Sequence, residues 1–451
     1  MIRTALSGAL ALLLLVLPAL GRHQAPGQTQ ERWYVVELSG KRAGYMHSRR
    51  APNEAGEIES TTVMAFEVRR GAAAVKINME TAWRETKQGK PVALVSKRAF
   101  GAAPVTTTYT FTPDGIVART GDTENTIPNP EKPWLPPAAA ERHAAERVKA
   151  GDKAFTVTTA DESPMGGLTF HTATTTLVES EATVAVAGRT VPAKKWRATV
   201  DSQPGIESIV YTDEAGIPLR TEVDLGGIRM TMLAADKELA LSKLDPPELL
   251  AATVVRPTGG KPNRKAEVNV YRLSVAEGEL PDFPTTNAQK FERLDARTAR
   301  LTVSRRPAPG NGPADAPADG DLGDSAMITS GDAKVKALAE TATAKEGQAA
   351  LAEALRRVVY KHVRKKNLDV GLGTAAEVAR TGEGDCTEHA VLLAAMLRAR
   401  GIPARVVTGL MYVEAFAGEK DIFGYHMWTQ ALIPATDNAP ARWTDLDATL
   451  P

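Results

Sequence analysis

From Arg32 to about Lys237, apolar and polar residues alternate in short runs such as RWYVVEL, STTVMAFEV, VTTTYTFT and ATVAVAG. The runs are rich in β-branched and aromatic side chains and are broken at close intervals by glycine turns. Successive strand side chains point to opposite faces, so this period of two predicts antiparallel β-structure with one face buried. FTPDGIVART, Phe111 to Thr120, resembles YTDEAGIPLRT, Tyr211 to Thr221. The likeness is consistent with a β-rich domain over residues 26–237 built from two related halves. Between them the Ala/Glu/Arg-rich stretch Ala138 to Lys149, stopped by Gly151, predicts one helix.

The pattern thins over residues 238–304, a connecting region with expected strands at KAEVNVYRLSV and ARLTVS. Residues 305–329 contain the run RRPAPGNGPADAPADGDLGDS, without an aromatic or β-branched side chain. Such a segment buries too little apolar surface to offset its ordering entropy, so the main domain boundary is placed in this linker. Beyond it, over residues 330–451, the period changes. A helical stretch begins at Ser330, and Glu346 to Lys366 carries Leu351, Leu355, Val358 and Val359 at helical spacing. A further helix is expected from about Cys386 to Arg400, ended by Gly401 and Pro403. Three strands follow, at Arg405 to Tyr412, Tyr425 to Ile433 and Arg442 to Leu446. The expected fold is therefore multidomain: a mostly antiparallel β region followed by an α+β domain.

The first residues change where such a chain is expected to work. Arg3, an apolar run from Ala9 to Leu17, Pro18 and the small-x-small site Ala19-Leu20-Gly21 read as a cleaved signal peptide over residues 1–21. A membrane span needs about 20 apolar residues, so an uncleaved anchor is the weaker reading. A secreted or periplasmic protein, with no stable membrane insertion after cleavage, is expected. The 55 basic and 54 acidic residues give a net charge of +1, so no global field recruits nucleic acid or anionic lipid.

A single cysteine, Cys386, excludes an intrachain disulfide in this 451-residue chain. The common fate of such a residue is a small buried hydrophobe. Its surroundings, GEGDCTEHA, point elsewhere. Asp385 stands where a helix N-cap belongs, which puts Cys386 in the first turn, where free N–H groups and the positive dipole end favour a thiolate. Gly382 and Gly384 permit a sharp turn that leaves the sulfur uncovered.

A thiolate nucleophile needs a group that shares its proton and later protonates the leaving group, usually histidine. Of the seven histidines, His23, His47, His143 and His171 lie in the first part of the chain. His362, in a basic helix, is expected to be solvated. His389 shares a helix face with Cys386, and His426 alternates with Trp428, Gln430 and Leu432 in the strand GYHMWTQALI. In RWTDLDATLP the same period puts Trp443, Asp445 and Asp447 on one face, where a carboxylate can orient the imidazole. Trp428 and Trp443 are expected in the core or a pocket wall. A zinc site of Cys386, His389, His426 and an Asp is the competing reading, but no H-E-x-x-H motif accompanies it. G-x-S-x-G and P-loop motifs are also missing from the sequence. Neither a metal nor a cofactor is expected; NGPADAPADGDLGD lacks the ligand spacing of an EF-hand loop.

GEGDCTEHAVLLAAMLRARGIPARVVTG, followed by YHMW and WTDLDAT, resembles the transglutaminase-like superfamily, whose fold is papain-related. The resemblance covers about Gly331 to Pro451. It implies Cys386 as nucleophile, His426 as base and Asp447, four residues after Trp443, as orienting carboxylate, with Asp445 the weaker candidate. Where the family usually has Pro after the Asp, this chain has Ala448. The activity implied is acyl transfer through a thioester on protein or peptide amides, with hydrolysis favoured over amine cross-linking. The rival class is a non-enzymatic envelope or extracellular binding protein that carries such a domain as structure only.

Overall fold

The alternating runs form a single 14-stranded antiparallel sheet. The computed structural model describes residues 29–451 apart from 71–72, 101–103, 122, 163–166, 204, 226–227, 249–253, 306–317, 345–346, 367–372, 417 and 435–439. The signal-peptide reading and most of the Pro/Gly/Ala/Asp run therefore lie outside the described residues. Two compact units divide at Ala252 and Thr253. Among the described residues no helix is long and apolar enough to cross a membrane.

In the first unit, strands β1 (Gln30–Leu38), β2 (Lys41–Pro52), β3 (Ile58–Arg70), β4 (Ala73–Glu85), β5 (Pro91–Phe100), β6 (Val105–Thr112), β7 (Gly115–Thr120) and β8 (Thr123–Ile127) form a meander. Strands β9 (Ala154–Glu162), β10 (Leu168–Val186), β11 (Arg189–Val200), β12 (Glu207–Thr212), β13 (Pro218–Asp224) and β14 (Arg229–Ala235) form another. The two are joined through β1 and β14, in the register Val36 opposite Met232. The two similar segments are both hairpins, β6–β7 and β12–β13.

The sheet rolls up. Phe155 and Val157 of β9 pack with Trp196 and with Ala144 and Val148 of helix α1 (Pro137–Lys149), on one face. Ala160 of β9 and Phe170 of β10, on the other face, pack with Trp83, Leu94, Tyr109 and Ile116 of β4 to β7. Side chains on both faces of β9 are thus packed against neighbouring elements. Tyr109 donates to Glu162 across this seam at 2.9 Å. Helix α1 starts after Pro136 without a side-chain cap of its own. The buried Glu85 carboxyl of β4 takes that place, accepting the Ala138 and Ala139 N–H groups at 2.6 and 3.0 Å. A one-turn helix α2 (Lys237–Ala240), capped by Asp236, follows the sheet.

The second unit contains a small sheet in the order β15 (Val268–Ser274), β17 (Thr298–Ser304), β16 (Gln289–Arg293). It continues with helices α3 (Ala333–Glu340), α4 (Gln348–His362), α5 (Ala375–Thr381) and α6 (Cys386–Ala399), and a sheet of β18 (Ala404–Phe416), β19 (Glu419–Pro434) and β20 (Ala441–Leu446). Helix α6 is buried from Ala390 to Leu397, because α3, α4 and α5 pack on it together with β18 and β19. A helix enclosed on all sides needs apolar residues all round, which VLLAAML supplies.

The compact unit starts well before the linker at which sequence composition places the boundary. Val255 and Phe423 exchange backbone hydrogen bonds at 2.8 Å, Tyr271 meets the Phe423 ring edge-on, and Asn287 donates to the Trp443 carbonyl at 3.2 Å. Strands before the linker are thereby packed on the helix-and-sheet region that follows it. Helix α5 was not marked by apolar periodicity. Its signature is the capping box formed by Thr374 and Glu377.

Candidate active site

Cys386 opens α6, and the residues around it fix the backbone there. The Asp385 side chain accepts the Thr387 N–H at 2.8 Å and caps the Glu388 N–H, while Glu388 accepts the Asp385 N–H at 2.8 Å. This box engages the N–H groups of the second and third helical residues, and the half-buried Cys386 sits at the first. The turn before it is tied to the end of α4: Arg364 N–H donates to Gly382 O, and Gly384 N–H to Lys365 O.

Gly384 has φ +148°, and a Cβ built there would lie 2.3 Å from Glu388 Cβ. Gly384→Ala is therefore expected to displace the first turn of α6, costing about 1–3 kcal/mol in stability. Urea unfolding compared with the rate of Cys386 alkylation checks this; both should fall.

His426 lies on β19 opposite Gly409 of β18. Its Nε2 hydrogen-bonds Asp447 Oδ2 at 2.8 Å, and its ring is also hydrogen-bonded with Cys386, which leaves Nδ1 for the sulfur. Burial pulls the imidazole pKa down, but the bonds to Asp447 and Cys386 and their charges outweigh it and raise it to about 9. At Asp447 burial pushes the carboxyl up, yet the bonds from His426 and Thr449 hold it below the ordinary carboxylate range. The structure thus brings Cys386, His426 and Asp447 together.

Asp447 is not on the face of β20 as strand periodicity predicts. The strand ends at Leu446, and Asp447 begins a turn in which its Oδ1 accepts from Thr449 N–H at 2.9 Å and Thr449 Oγ1 at 2.6 Å. Breaking the strand aims Oδ2 at the imidazole. Buried Arg356 of α4 holds this segment by donating to the carbonyls of Asp447 and Leu450 at 3.2 and 2.5 Å.

Asp445 is engaged otherwise. Its Oδ1 accepts from Trp428 Nε1 at 2.7 Å and Gln430 Nε2 at 2.8 Å. Trp428 stacks on His426 with ring centroids 6.1 Å apart, and Trp443 is in the core. His389 is buried and directs Nδ1 to the Asp385 carbonyl at 2.6 Å; burial lowers its pKa. His362, read from sequence as solvated, is half-buried with Nε2 on the Val378 carbonyl at 3.2 Å, because α5 covers it. Among the described residues no cluster of three or more His, Cys, Asp or Glu is arranged to hold a metal ion. Sequence reasoning did not single out Glu388, Arg356 or Thr449. The D-x-x-E spacing of Asp385 and Glu388 is a legible capping-box signal, whereas Arg356 carries no local signature.

Residues 334–448 match the family model of the transglutaminase-like superfamily. Among curated proteins none matches the chain. The chain is similar to the structure of a β-barrel-like protein of a domain of unknown function from Brucella abortus, with 13% identity and a TM-score of 0.35, covering 47% of this chain and 96% of that one. It is also similar to the periplasmic domain of TgpA from Pseudomonas aeruginosa bound to ethylmercury, with 20% identity and a TM-score of 0.29, covering 41% of this chain and 73% of that one. The chain therefore carries, at residues 334–448, a domain of the transglutaminase-like superfamily.

Proposed function

We propose that this protein is an exported thiol enzyme, secreted or periplasmic, that cleaves amide or peptide bonds through an acyl-thioester on Cys386. The observation that carries the reading is His426, hydrogen-bonded to Asp447 at 2.8 Å and to Cys386 at the start of a capped helix. In this reading the Cys386 sulfur attacks the substrate carbonyl carbon, and the carbonyl electron pair moves to oxygen, where the Cys386 N–H supports it. The tetrahedral intermediate collapses to a thioester as the imidazolium of His426 gives its Nδ1 proton to the departing amine or ammonia. Water, deprotonated by the now neutral His426, then attacks the thioester and releases a carboxylic acid and the thiol. Asp447 keeps Nε2 protonated and the ring oriented throughout. Hydrolysis is preferred to transfer onto an amine, and the substrate class is protein or peptide.

A thiol-selective reagent applied to the mature chain across pH 4 to 9 tests this reading. Wild-type reactivity is expected to persist well below about pH 8.5, where a free cysteine ionises, and to lose that plateau in His426→Ala. A thiol that titrates like free cysteine in both would leave the domain a structural module, and a binding role for the chain would take its place.

A further inference from the structure

The mechanism leaves unused a carboxyl group two residues from the nucleophile. Glu388 is fully buried. Its Oε1 accepts the Gly373 N–H at 2.9 Å and its Oε2 the Asp385 N–H at 2.8 Å. Its Cβ and Cγ fill the space that a side chain on Gly384 would need. One side chain thus joins three points of the backbone around Cys386: the turn at Gly384, the cap at Asp385 and the segment leading into α5 at Gly373. The side chains of Asp385 and Glu388 are also hydrogen-bonded to each other. Two carboxylates are acceptors only, so that bond needs a proton on the pair. Burial, together with the charge of Asp385, pushes the Glu388 carboxyl well above the ordinary carboxylate range, which favours a proton on this pair.

We propose that Glu388 is a positioning residue for the nucleophile: protonated, it ties Gly373 to Asp385 and donates to the Asp385 carboxylate, fixing both backbone and charge where α6 begins. The inference rests on the thiol mechanism and deepens it. A pair with one proton presents one negative charge to the neighbouring sulfur. Without the proton it presents two, and like charge disfavours a second anion at Cys386.

The test follows Cys386 alkylation by iodoacetamide against pH in the full mature chain, comparing wild type, His426→Ala, Glu388→Gln and Glu388→Ala. Wild type against His426→Ala shows whether the thiol is activated at all, so failure of that comparison strikes the mechanism rather than the role of Glu388. Glutamine keeps the Gly373 bond at Oε1 and can donate to the Asp385 carboxylate, but its amide nitrogen cannot accept the Asp385 N–H as Oε2 does. Glu388→Gln is expected to fall between wild type and Glu388→Ala, and Glu388→Ala to be at least about tenfold slower than wild type at pH 6. A glutamine variant as slow as the alanine variant would mean that the Gly373 bond and donation to Asp385 contribute nothing, which overturns the proposal. So does an alanine variant as reactive as wild type. Should Glu388→Ala not fold, the infrared difference between wild type and Glu388→Gln at neutral pH decides: the C=O band of a protonated carboxyl is expected in wild type, and its absence overturns the proposal.

Discussion

Cys386→Ala is expected to lower amide or peptide turnover by about a thousandfold or more, and adding His426→Ala to it should cost almost nothing further. In the proposed mechanism the two residues act on one proton, so removing either disables the same step. His426→Ala alone should lose about 10²- to 10⁴-fold, the range of a positioned general acid–base. Release of ammonia from glutamine peptides and cleavage of peptide anilides are suitable readouts. Iodoacetamide supplies the chemical counterpart, because Cys386 is the only cysteine in the sequence. Full activity on amide substrates after complete alkylation would end the thiol mechanism. Losses that multiply in the double variant would show that His426 acts somewhere other than on the Cys386 proton.

The parts of this site that could be read from sequence are those governed by local chemistry. Asp385 as N-cap, Cys386 in the first turn and Gly401 past the last are settled within a few residues by capping and turn rules, and α6 begins at Cys386 as they predict. His426 was legible because a strand alternates. The 14-stranded sheet was legible as strands, but its rolling was not: the overlap of β9 with β4 to β7 depends on contacts such as Tyr109 with Glu162, 53 residues apart. The same limit hid Arg356, whose hold on Asp447 spans 91 residues. The packing of residues before the linker onto the region after it was illegible for a related reason. Composition reveals where a chain cannot pack, but nothing in β15 to β17 announces that Tyr271 meets Phe423 and Asn287 meets Trp443.

The choice between two aspartates two residues apart gives the sharpest contrast. Period-two reasoning treats them alike, whereas the structure gives Asp447 to His426 and Asp445 to Trp428 and Gln430. Asp447→Asn should therefore lower kcat/KM by about 10²- to 10⁴-fold, while Asp445→Asn should stay within about tenfold of wild type. The pH dependence carries the sign. His426 is raised to about 9 from an ordinary 6.5, so its contribution to stability is fully present below 6.5 and is lost as pH rises through about 9. Asp447 is lowered, so its contribution is present above the ordinary carboxylate range and is lost as pH falls through its depressed value. The gap in thermal stability between wild type and Asp447→Asn should thus be widest between those limits and close on the alkaline side as His426 loses its proton. Asparagine removes the anion that holds the imidazolium, so the alkaline limb of the rate profile should move toward neutrality in Asp447→Asn and stay in place in Asp445→Asn. Equal shifts in the two variants would mean that the field of the β20 end, and not the His426–Asp447 bond, sets the imidazole charge.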